Sequence, residues 1–324
     1  MSSAAKPVVV VSKCLGFASC RWNGEIIPDE FVDMLKPFVD FLPVCPEMAI
    51  GLGVPRDPIR IVSVKGDLRL MQPATGRDLT EAMKVFSRSF LSSLSDPDGF
   101  ILKFRSPSCG FSNVKMYHDM GDEGASGKTS GFFGKAVMEN FPSLPVEDEG
   151  RLKNYRIREH FLAWLFTRSN FRKIKLKGSM KHLVQFHSEN KFLIMAYSQK
   201  ALRILGRIVA NHEKKPVDEV LTLYEHSLDQ AFSHPPRFTN MINVLMHLLG
   251  FFSERLTPGE KSFFLESLER YRHEKIPLSV PVNMIRSWVI RFDEKYLLNQ
   301  SFFDPYPEPL VEITDSGKGR DLDK

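Results

Sequence analysis

Three short apolar runs each end within a few residues of a cysteine, and this arrangement constrains the first half of the chain more than any other feature. Val8-Val9-Val10-Val11 runs through Ser12-Lys13 to Cys14, residues 41–44 run directly into Cys45, and residues 100–104 run through Arg105-Ser106-Pro107-Ser108 to Cys109. Runs of this length, bounded by Ser, Pro and Gly, read as buried strands. Pro46 stops the second from continuing as regular sheet. Between the first two runs, Phe31, Leu35 and Phe38 recur at helical spacing behind Pro28, which reads as a helix with proline in its first turn. The result is a β-α-β unit with parallel strands. Ligand crevices of open parallel sheets lie beyond the carboxyl ends of the strands, where all three thiols fall. The plain alternative is three unrelated core cysteines, since a free thiol packs as a small apolar group.

Further along, residues 51–58 form a Gly- and Pro-rich loop with Arg56 and Asp57 at its tip, either a functional pair or simple caps. Residues 59–64 read as another strand and 79–94 as an amphipathic helix. The segment 121–129 is rich in glycine but differs from a phosphate-cradling loop. Asp122 stands where a glycine is needed and would repel phosphate, which argues against a nucleotide hydrolase. Residues 141–150 read as a linker. After it the periodicity is helical throughout, over 158–167, 180–210, 217–233, 239–256, 258–274 and 282–299, with Thr257, Pro258 and Glu260 forming a capping-box start. The expected architecture is an α/β domain over 1–148 with an open, mainly parallel sheet, an all-α domain over 149–310, and a disordered polar tail over 311–324.

Four cysteines in 324 residues exclude a disulfide framework and point to a reducing compartment, with the cytoplasm as the expectation. No stretch has the apolar length of a membrane span, and the first residues lack a signal-peptide pattern. Residues 1–148 carry 16 Lys and Arg against 18 Asp and Glu, net −2, while the remainder carries 28 against 21, net +7. The basic excess therefore belongs to the helical half. Within it, Arg168, Arg172, Lys173, Lys175, Lys177 and Lys181 follow one another with no acidic residue among them, and Phe171 is placed where it could stack on a base. This reads as an RNA-binding stretch, against the alternative of a solvated basic face. The histidines of this half show neither paired i, i+4 spacing nor H-E-x-x-H, so metal chemistry belongs to the first half.

Three converging thiolates suit zinc or an iron-sulfur cluster, both of which favour sulfur ligands. A structural zinc site would need Cys20 or a histidine as fourth ligand, whereas a cubane on three cysteines leaves one iron open. Glu47, two residues after Cys45, is a proton-transfer group beside either.

The motifs Ser12-Lys13-Cys14-Leu15-Gly16, Val44-Cys45-Pro46-Glu47 followed by residues 51–56, and Ser106-Pro107-Ser108-Cys109-Gly110 together resemble the bacterial thiouracil desulfidase family. The helical half resembles the domain often fused to it, through Asn243-Val244-Leu245-Met246-His247, Gly259-Glu260-Lys261, Tyr271-Arg272 and Tyr296-Leu297-Leu298-Asn299-Gln300. Such fusions resemble desulfidases that remove sulfur from 4-thiouridine in tRNA. The resemblance implies a [4Fe-4S] cluster on Cys14, Cys45 and Cys109 whose open iron polarises the thiocarbonyl for attack by water, without net electron transfer. It implies Glu47 as general base or proton shuttle, and Ser106 as the serine that orients the base ring or relays a proton. One loop departs from the family. Cys20, Trp22 and Asn23 stand where an apolar residue, a tyrosine and an aspartate are expected, and Cys20 reads as a fourth ligand, a resolving thiol or a small core residue. Two other functions stay open on the residues alone: a zinc-containing nucleic-acid-binding module without catalysis, and a zinc hydrolase acting on a nucleobase.

Overall fold

A computed structural model describes residues 6–118 and 124–312. It divides into one unit of Met1–Phe161 with Pro309–Lys324 and a second of Leu162–Glu308. The division falls later than the boundary at 148 expected from the linker-like residues 141–150. Those residues lead into a strand instead, and Pro145 O accepts from Phe100 N at 2.9 Å to start its pairing. Most of the expected tail, 313–324, and residues 119–123, which include the first three residues of the glycine-rich segment, lie outside the described residues. The start of the tail is held in place, with Leu310 buried and Glu312 O accepting from Arg158 Nη2 at 2.6 Å.

The first unit runs β1 (Val8–Ser12), α1 (Glu30–Leu35), β2 (Asp40–Val44), α2 (Pro46–Ala49), β3 (Arg60–Val64), β4 (Asp67–Gln72), β5 (Arg77–Asp78), α3 (Thr80–Ser93), β6 (Gly99–Leu102), β7 (Val114–Tyr117), β8 (Gly127–Thr129), α4 (Phe132–Asn140) and β9 (Val146–Asp148). Strands β2-β1-β6-β9 form a sheet that is parallel at every pairing. Val9, Val10, Val11, Phe100, Ile101 and Leu102 are fully buried, so these strands are covered on both faces. That is why they read as continuous apolar runs rather than as alternating ones.

Helix α1 is shorter than its spacing suggests. Asp29 caps it by accepting from Val32 N at 2.9 Å, Pro28 lies ahead of the cap, and the helix ends before Pro37, leaving Phe38 outside.

The strand at 60–64 does not join the parallel sheet. It is the centre of a second, mixed sheet of order β5-β4-β3-β7-β8. Lys65 and Gly66 both take positive φ, 52° and 91°, and reverse the chain in a two-residue hairpin that pairs Val64 with Asp67. Val10, Phe100 and Leu102 of the first sheet share one apolar core with Ile61 and Leu70 of the second and with Met83 of α3 and Phe133 of α4.

The chain continues as α5 (Tyr155–Lys177), α6 (Met180–Glu189), α7 (Lys191–Tyr197), α8 (Gln199–Ala210), α9 (Val217–Phe232), α10 (Phe238–Gly250), α11 (Pro258–Arg272), α12 (Ser279–Arg291) and α13 (Lys295–Leu298). The described residues of the second unit contain no strand. The stretch 180–210, which reads as one helix, is three, interrupted at Asn190 and Ser198. Ser198 caps α8 through its side chain, accepting from Ala201 N at 3.1 Å. The capping box of Thr257 and Glu260 forms as its sequence predicts. No helix among the described residues is long and apolar enough to cross a membrane.

Candidate active site

The carboxyl end of the parallel sheet delivers the thiols. Cys14 follows β1, Cys45 ends β2 and is the N-cap of α2, and Cys109 follows β6 across the turn 103–108. All four cysteines are free thiols. Cys14 and Cys45 are half-buried, and Cys20 and Cys109 are buried. Lys13 N donates to Val44 O at 2.8 Å, tying the start of the Cys14 loop to the strand that carries Cys45.

The thiols lie within electrostatic reach of one another. Burial pushes Cys14 up to about 12, Lys103 acts in the opposite sense, and Cys45, Glu149 and Glu47 add to the rise. Burial also pushes Cys109 up, opposed by a hydrogen bond with Ser12 and reinforced by Cys14, Glu47 and Cys45. Cys20 and Cys45 perturb each other, which pushes Cys20 up and draws Cys45 down, and Cys45 Sγ lies 3.9 Å from Cys20 O.

Among the described residues no three His, Cys, Asp or Glu side chains are gathered tightly enough to hold a single metal ion. A cluster sets different requirements, because each cysteine bonds a different iron and the sulfurs can stand further apart. Cys14, Cys45 and Cys109 are near enough to perturb one another, and an all-sulfur donor set of this kind suits an iron-sulfur cluster.

The Cys109 turn is built from both sides. Ser106 Oγ accepts from Cys109 N at 3.1 Å and from Ser108 N at 3.3 Å, and Ser106 O accepts from Gly110 N at 2.9 Å. The start of α4 donates its unpaired amides to the same turn. Gly131 N reaches Gly110 O at 2.6 Å, Phe132 N reaches Pro107 O at 3.2 Å, and Phe133 N and Gly134 N reach Ser108 O at 2.9 and 3.0 Å. This approach requires glycine. A Cβ on Gly131 would stand 2.6 Å from Ser108 O, and one on Gly134 would stand 2.5 Å from Cys109 O. Sequence reasoning passed over both, although the G-x-x-G spacing at a helix start was visible.

Glu47 sits in the first turn of α2, 14% exposed. Its Oε2 accepts from Arg56 Nε at 2.9 Å and Nη2 at 2.5 Å, and its Oε1 accepts from Ser108 Oγ at 2.6 Å. Arg56 is also anchored by Cys20 O at 3.0 Å and Gly53 O at 2.8 Å, so it fixes the carboxylate against the Cys20 loop. Of the two residues at the tip of loop 51–58, only Arg56 joins the site, and Asp57 is exposed. Ser106, the expected serine, does not contact Glu47 and lies one hydroxyl further back, 2.9 Å from Ser108 Oγ. Ser108 was missed because both serines flank Pro107 and spacing does not say which turns inward. Lys103 pairs with Glu149 and places a second cation beside Cys14.

In the helical unit the basic stretch is only partly a surface. Phe171 is 1% exposed, stacks on Tyr224 with centroids 5.2 Å apart and meets Phe186 edge-on at 5.5 Å. It is core, which corrects its expected role as a base-stacking side chain. Arg168, with its side chain 12% exposed, is committed to Asp229 at 2.5 Å and Glu225 at 3.6 Å, a correction to its expected place on an RNA surface. Lys175 also meets Glu225, at 2.6 Å. The stretch holds no acid of its own, but α9 supplies acids across the packing. Arg172 and Lys173 are half-buried, and Lys177 and Lys181 are exposed.

Comparison with known proteins agrees with this two-part organisation. Residues 9–149 match the family model of 2-thiouracil desulfurase, and residues 191–307 match DUF1722, a family of unknown function. The Bacillus subtilis (strain 168) uncharacterized protein YbbK is 32% identical over 110 residues, covering 32% of this chain and 73% of YbbK. The Escherichia coli (strain K12) uncharacterized protein YbgA is 26% identical over 164 residues, covering 50% of this chain and 96% of YbgA. A solved [4Fe-4S]-dependent thiouracil desulfidase, TudS, aligns at 26% identity over 45% of this chain and 93% of its own, with a TM-score of 0.35. Through residues 9–149, with their thiols and carboxylate at the end of the parallel sheet, the chain belongs to the 2-thiouracil desulfurase family.

Proposed function

We propose that the protein is an iron-sulfur-dependent, non-redox desulfidase that converts thiolated uracil, as 4-thiouridine in tRNA, to uridine and sulfide. The observation that carries this reading is the convergence of Cys14, Cys45 and Cys109 with Glu47 at one end of the parallel sheet, inside a domain of the 2-thiouracil desulfurase family. A [4Fe-4S] cluster held by the three cysteines would supply an open iron as the Lewis acid for the thiocarbonyl sulfur.

The chain's own residues supply the proton chemistry. Water replaces sulfur at the ring carbon: the C=S double bond gives way to a C=O double bond, both O–H bonds of water break, and the two protons end on the departing sulfide. Glu47 takes a proton from the attacking water and returns it to the sulfide. Arg56 prevents the carboxylate from turning away by holding Oε2 with two N–H groups. Lys103 and Arg56 place positive charge beside a site that gathers thiolates and carboxylates.

Support for an RNA-sized substrate comes from the basic helical half and the exposed Lys177 and Lys181 in it. Phosphate contacts there would position the polynucleotide while one base enters the site. The test is anaerobic incubation of the reconstituted protein with tRNA bearing 4-thiouridine, without any reductant or oxidant. Equal amounts of uridine and sulfide are expected, whereas sulfide that forms only when an electron donor is added would overturn the non-redox reading.

A further inference from the structure

Cys20 is the one cysteine that the ligand set leaves unused, and it lies against a cysteine that the set requires. Its peptide carbonyl is 3.9 Å from Cys45 Sγ. Arg56 holds that carbonyl in place, donating from Nη2 to Cys20 O at 3.0 Å, while Arg56 N donates to Trp22 O at 2.8 Å. The Cys20 loop is thereby clamped onto the strand end that carries Cys45. The thiols are neighbours as well as the backbones: the Cys45 side chain perturbs Cys20 more than burial does, whereas Cys14 acts on Cys20 through charge alone.

Burial limits what this pair can do. Cys20 is a free thiol only 5% exposed, which screens it from the thiols of other molecules, while Cys45 is half-buried and open to small solutes. As long as Cys45 is bonded to iron, its sulfur is not free to react elsewhere. Once the iron is gone, that sulfur can be oxidised, and oxidation beyond the sulfenic acid is not reversed by thiols. A neighbouring thiol that condenses with the sulfenic acid stops the damage at a reducible disulfide.

We infer that Cys20 is the resolving thiol of Cys45, closing a Cys20–Cys45 disulfide when a peroxide reaches a site that has lost its cluster, and so preserving Cys45 for reloading. In the first step the peroxide O–O bond breaks, one oxygen stays on Cys45 Sγ as the sulfenic acid, and the other leaves as water with the thiol's proton. In the second, the Cys20 sulfur bonds to Cys45 Sγ, the S–O bond breaks, and the departing hydroxyl takes the Cys20 proton to form a second water. A dithiol reopens the bridge by exchange, returning both thiols and closing to a disulfide itself. The inference rests on Cys45 being a cluster ligand and gives Cys20 a use outside the ligand set.

The test takes full-length protein emptied of iron by a chelator, treats it briefly with hydrogen peroxide, blocks the remaining thiols with N-ethylmaleimide and maps the peptides by mass spectrometry without reduction. A Cys20–Cys45 cross-link is expected in the wild type and in Cys14→Ser. Dithiothreitol followed by anaerobic iron and sulfide should then restore most of the wild-type cluster. Cys20→Ala should take up wild-type iron before peroxide. After peroxide and dithiothreitol, its Cys45 should carry sulfinic acid and it should regain roughly fivefold less iron than the wild type. A Cys14–Cys45 bridge in place of the expected one, no bridge at all, or equal recovery of iron in Cys20→Ala would each overturn the resolving role. A bridge that forms in a wild-type protein unable to take up iron would overturn the cluster reading while leaving the pairing of Cys20 with Cys45 established.

Discussion

Arg56 meets Glu47 with two N–H groups on a single carboxylate oxygen, and both side chains are shielded, 4% and 14% exposed. A pair so placed is coupled in a specific way. Removing one partner leaves a buried charge uncompensated, whereas removing both charges leaves none.

Arg56→Gln is therefore expected to cost about 3–5 kcal/mol of stability, and the double variant Arg56→Gln with Glu47→Gln should recover a large part of that loss. Denaturant melts of the two single variants and the double variant form the cycle that checks it. Strict additivity would show that the two side chains do not interact.

The packing of α4 on the Cys109 turn makes a second prediction. A methyl group on Gly134 would press on Cys109 O at 2.5 Å and on Gly110 O at 2.7 Å. Gly134→Ala should lose about 1–3 kcal/mol and part of its iron after reconstitution, because both sides of the clash are backbone. Gly259→Ala, with nothing within 4 Å of the new carbon, is the control expected to keep both. Equal iron content in the two variants would contradict the argument.

Acid-base behaviour gives a third. Asp148 is 1% exposed, and burial raises its carboxyl from 3.8 to about 6, although the bond from Arg151 N acts against the rise. Because the folded state holds the proton more tightly, this group's contribution favours folding at low pH and is lost as pH rises through about 6. Asp148→Asn keeps the acceptor for Arg151 N and cannot ionise. Its melting temperature should change less with pH between about 4 and 7 than that of the wild type. Parallel profiles would show that Asp148 does not titrate there.

How much of this was legible in sequence follows from what each residue faces. The strands behind Cys14 and Cys109 stood out because double-sided burial makes them continuously apolar, whereas β2 behind Cys45 is an edge strand in which only Val44 is buried, so its reading as a buried strand is corrected. The second sheet did not, since β4 is mostly half-exposed and carries Asp67 and Arg69, and β7 and β8 span four and three residues. Only its central strand was legible, as residues 59–64, and the Lys65-Gly66 turn after it was a further local signal. Arg168 and Phe171 were misread because a run of basic residues in sequence says nothing of the acids and aromatics that α9 brings against it.

For the RNA surface, the structure narrows the useful substitutions. Lys177→Gln with Lys181→Gln should weaken tRNA binding and reduce the slope of log K against log salt by up to about 0.9 for each phosphate that is no longer neutralised. Turnover of free 4-thiouracil should stay the same. Arg168→Gln should instead lower the melting temperature, as it strips Asp229 of its partner. An unchanged salt slope in the double lysine variant would place the RNA surface elsewhere.

The most direct measurement is the iron and acid-labile sulfide content of anaerobically reconstituted wild type beside Cys14→Ser, Cys45→Ser, Cys109→Ser and Cys20→Ala. About four irons and four sulfides per chain are expected for wild type and Cys20→Ala, with little or none for the three others. A colourless wild type carrying stoichiometric zinc, or a Cys20→Ala protein that stays empty, would contradict the ligand set on which the account rests.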